Sequence, residues 1–238
     1  MITEFGAVYR MFFTPGEVTE IRAYGLSRQN KAWEGWAGGT GIVFGYFDNP
    51  KDFAKGAEVL ETAKAHGIYF TLNPVLPDLL ARASNRLKAA DGKTASTSDK
   101  DILCIRWLPV DLDPVRPSGI SSTQEELALA IKLRDKIAAS LAKKGWPQGI
   151  KAISGNGAHL VYRLKDQNIQ DRENISQDPT VIRIKNCLRA IHAKAGTSKV
   201  DIDQKVFNPS RIWKLYGTTA RKGDSTTTRP HRQSYIES

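Results

Sequence analysis

Hydrophobic and polar residues alternate in short blocks over the first third of the chain. Val8–Phe13, Val18–Tyr24 and Gly41–Phe47 are rich in β-branched and aromatic residues and predict strands. Asp48-Asn49-Pro50 supplies a side-chain cap followed by proline, which the first helical turn tolerates. The helix so opened is expected to run to about His66, with Gly67 ending it. Ile68–Leu72 predicts a short strand, and a second short helix is expected around Asp78–Leu87. The polar, aperiodic stretch Asp91–Lys100 is a loop candidate.

The pattern then changes. Ile102–Val110 is almost continuously apolar, as in a strand buried on both faces, and it carries Asp111 and Asp113 at its C-terminal end. Ser122-Thr123-Gln124-Glu125 has the form of a capping box. The helix after it, Gln124–Lys144, places Leu127, Ile131, Ile137 and Leu141 on an apolar face, and Gly145 stops it. Ile150–Ile153 and Ala158–Leu164 predict strands joined by the turn Ser154–Gly157. Asp178-Pro179 opens another helix that ends near Gly196. The pattern predicts one α+β domain over 1–238, with subdomains of about 1–100 and 101–238. A polar, Thr-rich close without a capping signal leads us to expect the N-terminal part of a longer protein.

Composition narrows the class. An apolar content of 40% supports a real core. No apolar run approaches the ~20 residues of a bilayer span, and no secretory pattern opens the chain. The expectation is a cytoplasmic protein without a membrane partner. Two cysteines, Cys104 and Cys187, each in an apolar segment, predict buried free thiols and are too few for a cysteine zinc site. The net charge of +10 suggests a polyanionic partner. Arg211, Lys214, Arg221, Lys222, Arg229 and Arg232 crowd the last thirty residues, either as a phosphate or nucleic-acid footprint or as a solvated tail.

The candidate chemistry lies in three places. Asp111 and Asp113, at i and i+2, point to one face of a strand, where two carboxylates repel unless a cation joins them. Mg²⁺ and Mn²⁺ favour such oxygen ligands, although Asp-x-Asp-Pro also begins ordinary turns. About forty residues later comes Ser154-Gly155-Asn156-Gly157-Ala158-His159. Its glycines let backbone N–H groups approach an anion, and Ser154, Asn156 and His159 add polar side chains. An Asn-Gly hairpin with a core histidine explains the same residues. Asp201 and Asp203 then repeat the i, i+2 spacing, ahead of Arg211 and Lys214, which one helical turn would place on one face.

The ordered set resembles the archaeo-eukaryotic primase superfamily, in particular bacterial, plasmid and phage primase-polymerases. Asp111 and Asp113 match that family's Asp-x-Asp/Glu motif. Ser154 and His159 match its Ser-x-His motif in type, with Gly155–Ala158 in place of the usual single intervening residue. Asp203 after Ile202 matches its apolar-Asp motif better than Asp201 does. Phe44–Phe47, Thr71–Pro74, Val206–Arg211 and Leu215–Thr218 extend the resemblance over most of the chain.

The resemblance implies a catalytic core related to RNA-recognition modules, beside a smaller N-terminal α/β subdomain. It implies template-directed primer synthesis and extension on single-stranded DNA. Asp111, Asp113 and Asp203 would hold two Mg²⁺ or Mn²⁺ ions. Ser154, Asn156, His159, Arg211 and Lys214 would hold a nucleoside triphosphate, with Arg221 and Lys222 extending the cluster. A helicase or other replication module is the expected further partner. Two alternatives stay open. A single-stranded nucleic-acid binding module would use Tyr46, Phe47 and Phe70 as stacking surfaces. A replication-initiator nuclease would want paired histidines, which His66, His159, His192 and His231 do not supply.

Overall fold

The computed structural model describes residues 1, 3–26, 41–91, 93 and 96–237. Its first element corrects the sequence reading. Phe5–Phe12 is helix α1, not a strand over Val8–Phe13. Phe5, Val8, Tyr9 and Phe12 recur at helical spacing, and the Glu4 carboxylate accepts the Gly6 and Ala7 N–H groups at 2.8 and 2.6 Å. Aromatic content masked that period. β1 (Thr19–Tyr24) and β2 (Val43–Phe47) follow as expected, then helix α2 (Pro50–Thr62), capped by Asn49. α2 stops short of the expected His66. Lys64 turns at a φ of +54°, and His66 N–H already pairs with the Tyr24 carbonyl. Gly67 therefore begins β3 (Gly67–Thr71) instead of ending a helix. The helix expected at Asp78–Leu87 is a 3₁₀ segment, Pro77–Arg82, before the short β4 (Lys88–Ala89).

β5 (Cys104–Pro114) continues through both aspartates. Helix α3 (Gln124–Ala142) is capped one residue later than expected: Thr123 and Glu126 form the reciprocal box, because Ser122 N–H bonds Asn156 Oδ1 at 2.9 Å. Strands β6 (Ile150–Ile153) and β7 (Ala158–Asn168) form a hairpin. Helix α4 (Pro179–Ala195) is capped by Asp178. The chain ends in five short strands: β8 (Val200–Ile202), β9 (Ile212–Lys214), β10 (Thr219–Ala220), β11 (Arg232–Gln233) and β12 (Tyr235–Ile236).

The described residues form an α+β fold with two five-stranded sheets, ordered β4-β2-β1-β3-β9 and β12-β6-β7-β5-β8. All their strand pairs are antiparallel. β9 thus crosses from the second half of the chain to the edge of the first sheet. Phe12 of α1 packs between the sheets, 5.1 Å from the Phe70 ring of β3 and 5.0 Å from Trp107 of β5. The fully buried Arg134 of α3 is bound by Glu237 and by the Ala152 carbonyl. The basic tail is therefore structured, contrary to its featureless sequence. Arg229 forms a two-pronged pair with Glu126, and Arg232 donates to the Ser122 carbonyl. Cys104 is buried and Cys187 half-buried, both as free thiols. No described helix is long and apolar enough to cross a membrane.

Candidate active site

Where the two sheets meet at β3–β9 and β5, a cleft of about 640 Å³ opens. All ten candidate residues, Asp111, Asp113, Ser154, Asn156, His159, Asp203, Arg211, Lys214, Arg221 and Lys222, line it. Strand register explains how residues so far apart meet. His159 of β7 lies opposite Asp111 of β5. Asp203 N–H bonds the Asp111 carbonyl at 3.0 Å, extending the β5–β8 ladder by one residue. Directly opposed residues in antiparallel strands share a face, so His159, Asp111 and Asp203 form one row across three neighbouring strands. Leu112 points the other way and is fully buried. Asp201 stands opposite Asp113, exposed and outside the cleft lining.

The turn Ser154–Gly157 is a hairpin, and its polar groups serve the fold first. Ser154 Oγ accepts the Gly157 N–H at 3.0 Å. Asn156 Oδ1 ties the turn to Ser122 at the start of α3. Gly155 takes a φ of +102°, which favours glycine. Gly157 is required for another reason: a Cβ there would lie 2.5 Å from the Leu112 carbonyl oxygen and 2.6 Å from Asp113 Oδ1. His159 is buried, with Nδ1 2.8 Å from Tyr216 Oη and Nε2 3.4 Å from Asp111 Oδ1. It is thus a core histidine whose outer nitrogen faces the cleft carboxylates.

The basic residues differ in how free they are. Arg211 donates to the Lys205 carbonyl, but its buried Nε has no acceptor among the described residues. Arg211 and Lys214 do not share a helical turn, since Ile212–Lys214 is β9. Lys214 is 6% exposed, donates to the Thr219 carbonyl at 3.2 Å and sits 5.8 Å from the Tyr69 ring centroid. Burial first, then the neighbouring Arg221, lowers its pKa to about 7, against the pull of Glu61. Arg221 is already engaged by both oxygens of Glu61. Burial raises the Glu61 carboxyl, but Arg221 and Thr219 outweigh it and hold the pKa below the ordinary value. Lys222 stands exposed at the rim.

Several lining residues carried no local sequence signal. Arg116 is held by the Pro114 and Ile120 carbonyls, with Nη1 3.5 Å from Asp113 Oδ1. Tyr24, His66 and Tyr69 close another side. Tyr69 folds over Gly67, where a Cβ would meet its ring at 2.7 Å. Conversely, Tyr46, Phe47 and Phe70, the aromatics of the binding-module alternative, are at most 1% exposed and offer no stacking surface.

The donor set suits a hard divalent cation. Asp111 and Asp113 offer carboxylate oxygens on one face. Desolvation in the cleft and then Asp111 push the Asp113 carboxyl above the ordinary range, against Arg116, Lys222 and His159. Burial is the larger cause, and the neighbouring carboxylate adds to it. Asp203 flanks the pair, its Oδ1 accepting the Lys205 N–H at 2.7 Å. The three carboxylates surround the cleft without converging: among the described residues no group of three His, Cys, Asp or Glu is gathered as a metal cluster.

No family model and no curated protein matches the chain. Among solved structures it is similar to the crystal structure of primase RepB′, at a TM-score of 0.48 and 10% identity, over 99% of this chain and 55% of that one. It is also similar to the polymerase domain of Mycobacterium tuberculosis Ligase D in complex with DNA, at a TM-score of 0.48 and 14% identity, over 98% and 79% of the two chains. The chain thus spans little more than half the length of the RepB′ chain. Over nearly all its length, it is similar to a primase and to a polymerase domain.

Proposed function

We propose that the chain is a primase-polymerase of the archaeo-eukaryotic primase superfamily, making and extending short primers on single-stranded DNA. The observation that carries this reading is that three carboxylates and a basic wall line one cleft. Asp111, Asp113 and Asp203 are the residues to hold Mg²⁺ or Mn²⁺. Divalent ions held there would lower the pKa of an attacking 3′-hydroxyl and neutralise charge on the transferring phosphoryl group.

The chain's own residues orient the nucleotide. His159, Arg211 and Lys214 face the anion, with Lys222 at the rim and Arg116 as a further cation beside Asp113. Ser154 and Asn156 act mainly by fixing the turn that carries His159. Arg221 serves by holding Glu61 in place instead of meeting phosphate. A helicase or another replication module is the proposed partner. The binding-module alternative is disfavoured by the burial of Tyr46, Phe47 and Phe70. Unprimed single-stranded DNA, labelled nucleotides and Mn²⁺ test the proposal: short sized products support it, and DNA binding without products refutes it.

A further inference from the structure

Behind Asp111, three buried rings form a hydrogen-bond chain that ends at the cleft. Trp213 Nε1 lies 2.7 Å from Tyr216 Oη, and that oxygen lies 2.8 Å from His159 Nδ1. His159 Nε2 then faces Asp111 Oδ1 at 3.4 Å. Trp213 also packs on the imidazole, with ring centroids 4.1 Å apart. The direction of the chain follows from chemistry. An indole N–H only donates, so the Tyr216 oxygen accepts from Trp213. Tyr216 is fully buried, and the acceptor facing its own O–H among the described residues is His159 Nδ1. If Nδ1 carried the proton, the Tyr216 hydrogen would be buried without an acceptor. That arrangement is disfavoured by roughly tenfold or more.

We infer that Trp213 and Tyr216 are positioning residues that fix His159 as the tautomer with its proton on Nε2. The imidazole therefore presents an N–H donor to the cleft. A donor fits a phosphate oxygen or the Asp111 carboxylate, and it removes His159 as a proton acceptor at that nitrogen. The functional value of this arrangement rests on the triphosphate role proposed for His159, whereas the tautomer itself does not.

The test is a ¹H–¹⁵N correlation spectrum of the histidine rings in the ligand-free protein at about pH 8, above the ordinary imidazole range. The His159→Gln spectrum identifies the His159 signals. The expected result is a protonated Nε2 and an unprotonated Nδ1. A proton on Nδ1 overturns the inference, whether or not any variant folds. Tyr216→Phe keeps the ring and removes the hydroxyl. It should give a mixture of tautomers and weaken dATP–Mg²⁺ binding about tenfold, the loss of one well-placed hydrogen bond. A folded Tyr216→Phe protein with the wild-type tautomer also overturns the inference. If the wild-type tautomer is as stated but saturating dATP–Mg²⁺ leaves the Nε2 signal unmoved, the positioning stands and the triphosphate role of His159 fails.

Discussion

Gly157 carries information that its side chain cannot. The sequence suggests backbone freedom at both turn glycines, yet only Gly155 uses positive φ; Gly157 makes room for the Asp113 carboxylate. Gly157→Ala should therefore push β7 off β5 at the site. We expect about 1–3 kcal/mol of lost stability and a loss of nucleotide transfer, read by denaturant unfolding and by primer extension. Wild-type stability with reduced activity would mean that the hairpin yields more easily than its contacts imply. Lys214 gives a second test. Its pKa in the folded chain is about 7, below that of an exposed lysine, so between the two values the unfolded chain binds the extra proton. Stability should rise with pH from about 7 towards the ordinary lysine range. Lys214→Met should flatten that rise, raise the melting temperature at neutral pH and weaken nucleotide binding. Thermal melts of both proteins across this range, with nucleotide titrations at neutral pH, check the three outcomes.

At the scale of elements, the legible parts were those with a strong local signal. The apolar run into Asp111-Leu112-Asp113 and the Asn49-Pro50 and Asp178-Pro179 starts announce β5, α2 and α4. Alternation along β5 also places both aspartates on one face. α1 was hidden because aromatic residues favour strands while their spacing is helical. The cap of α3 moved to Thr123 because a long-range bond from Asn156 claims Ser122, and local pattern does not encode such a bond. The contributions of Arg116 and Tyr216 were illegible for the same reason, since Tyr216 meets His159 across 57 residues. Thr123→Ala should cost about 1 kcal/mol, the usual value of a lost N-cap. A denaturation midpoint identical to wild type would place the cap elsewhere.

Over the whole molecule, charge and topology agree. The chain carries a net +10, and Arg211, Lys214, Arg221 and Lys222 line the cleft where β9 brings the second half of the chain against β3. The cleft thus joins a carboxylate row from one sheet to basic residues from the edge of the other. Removing one cleft carboxylate should leave electrostatic attraction for DNA intact or stronger, while nucleotide transfer fails. The most direct measurement compares wild type and Asp113→Ala on unprimed single-stranded DNA with labelled nucleotides and Mn²⁺, sizing the products and measuring DNA affinity in the same buffer. Wild type should yield short primers and Asp113→Ala none, with equal folding and undiminished DNA binding. Primers from Asp113→Ala at near-wild-type yield, or none from a wild-type protein that binds both DNA and nucleotide, would contradict this reading.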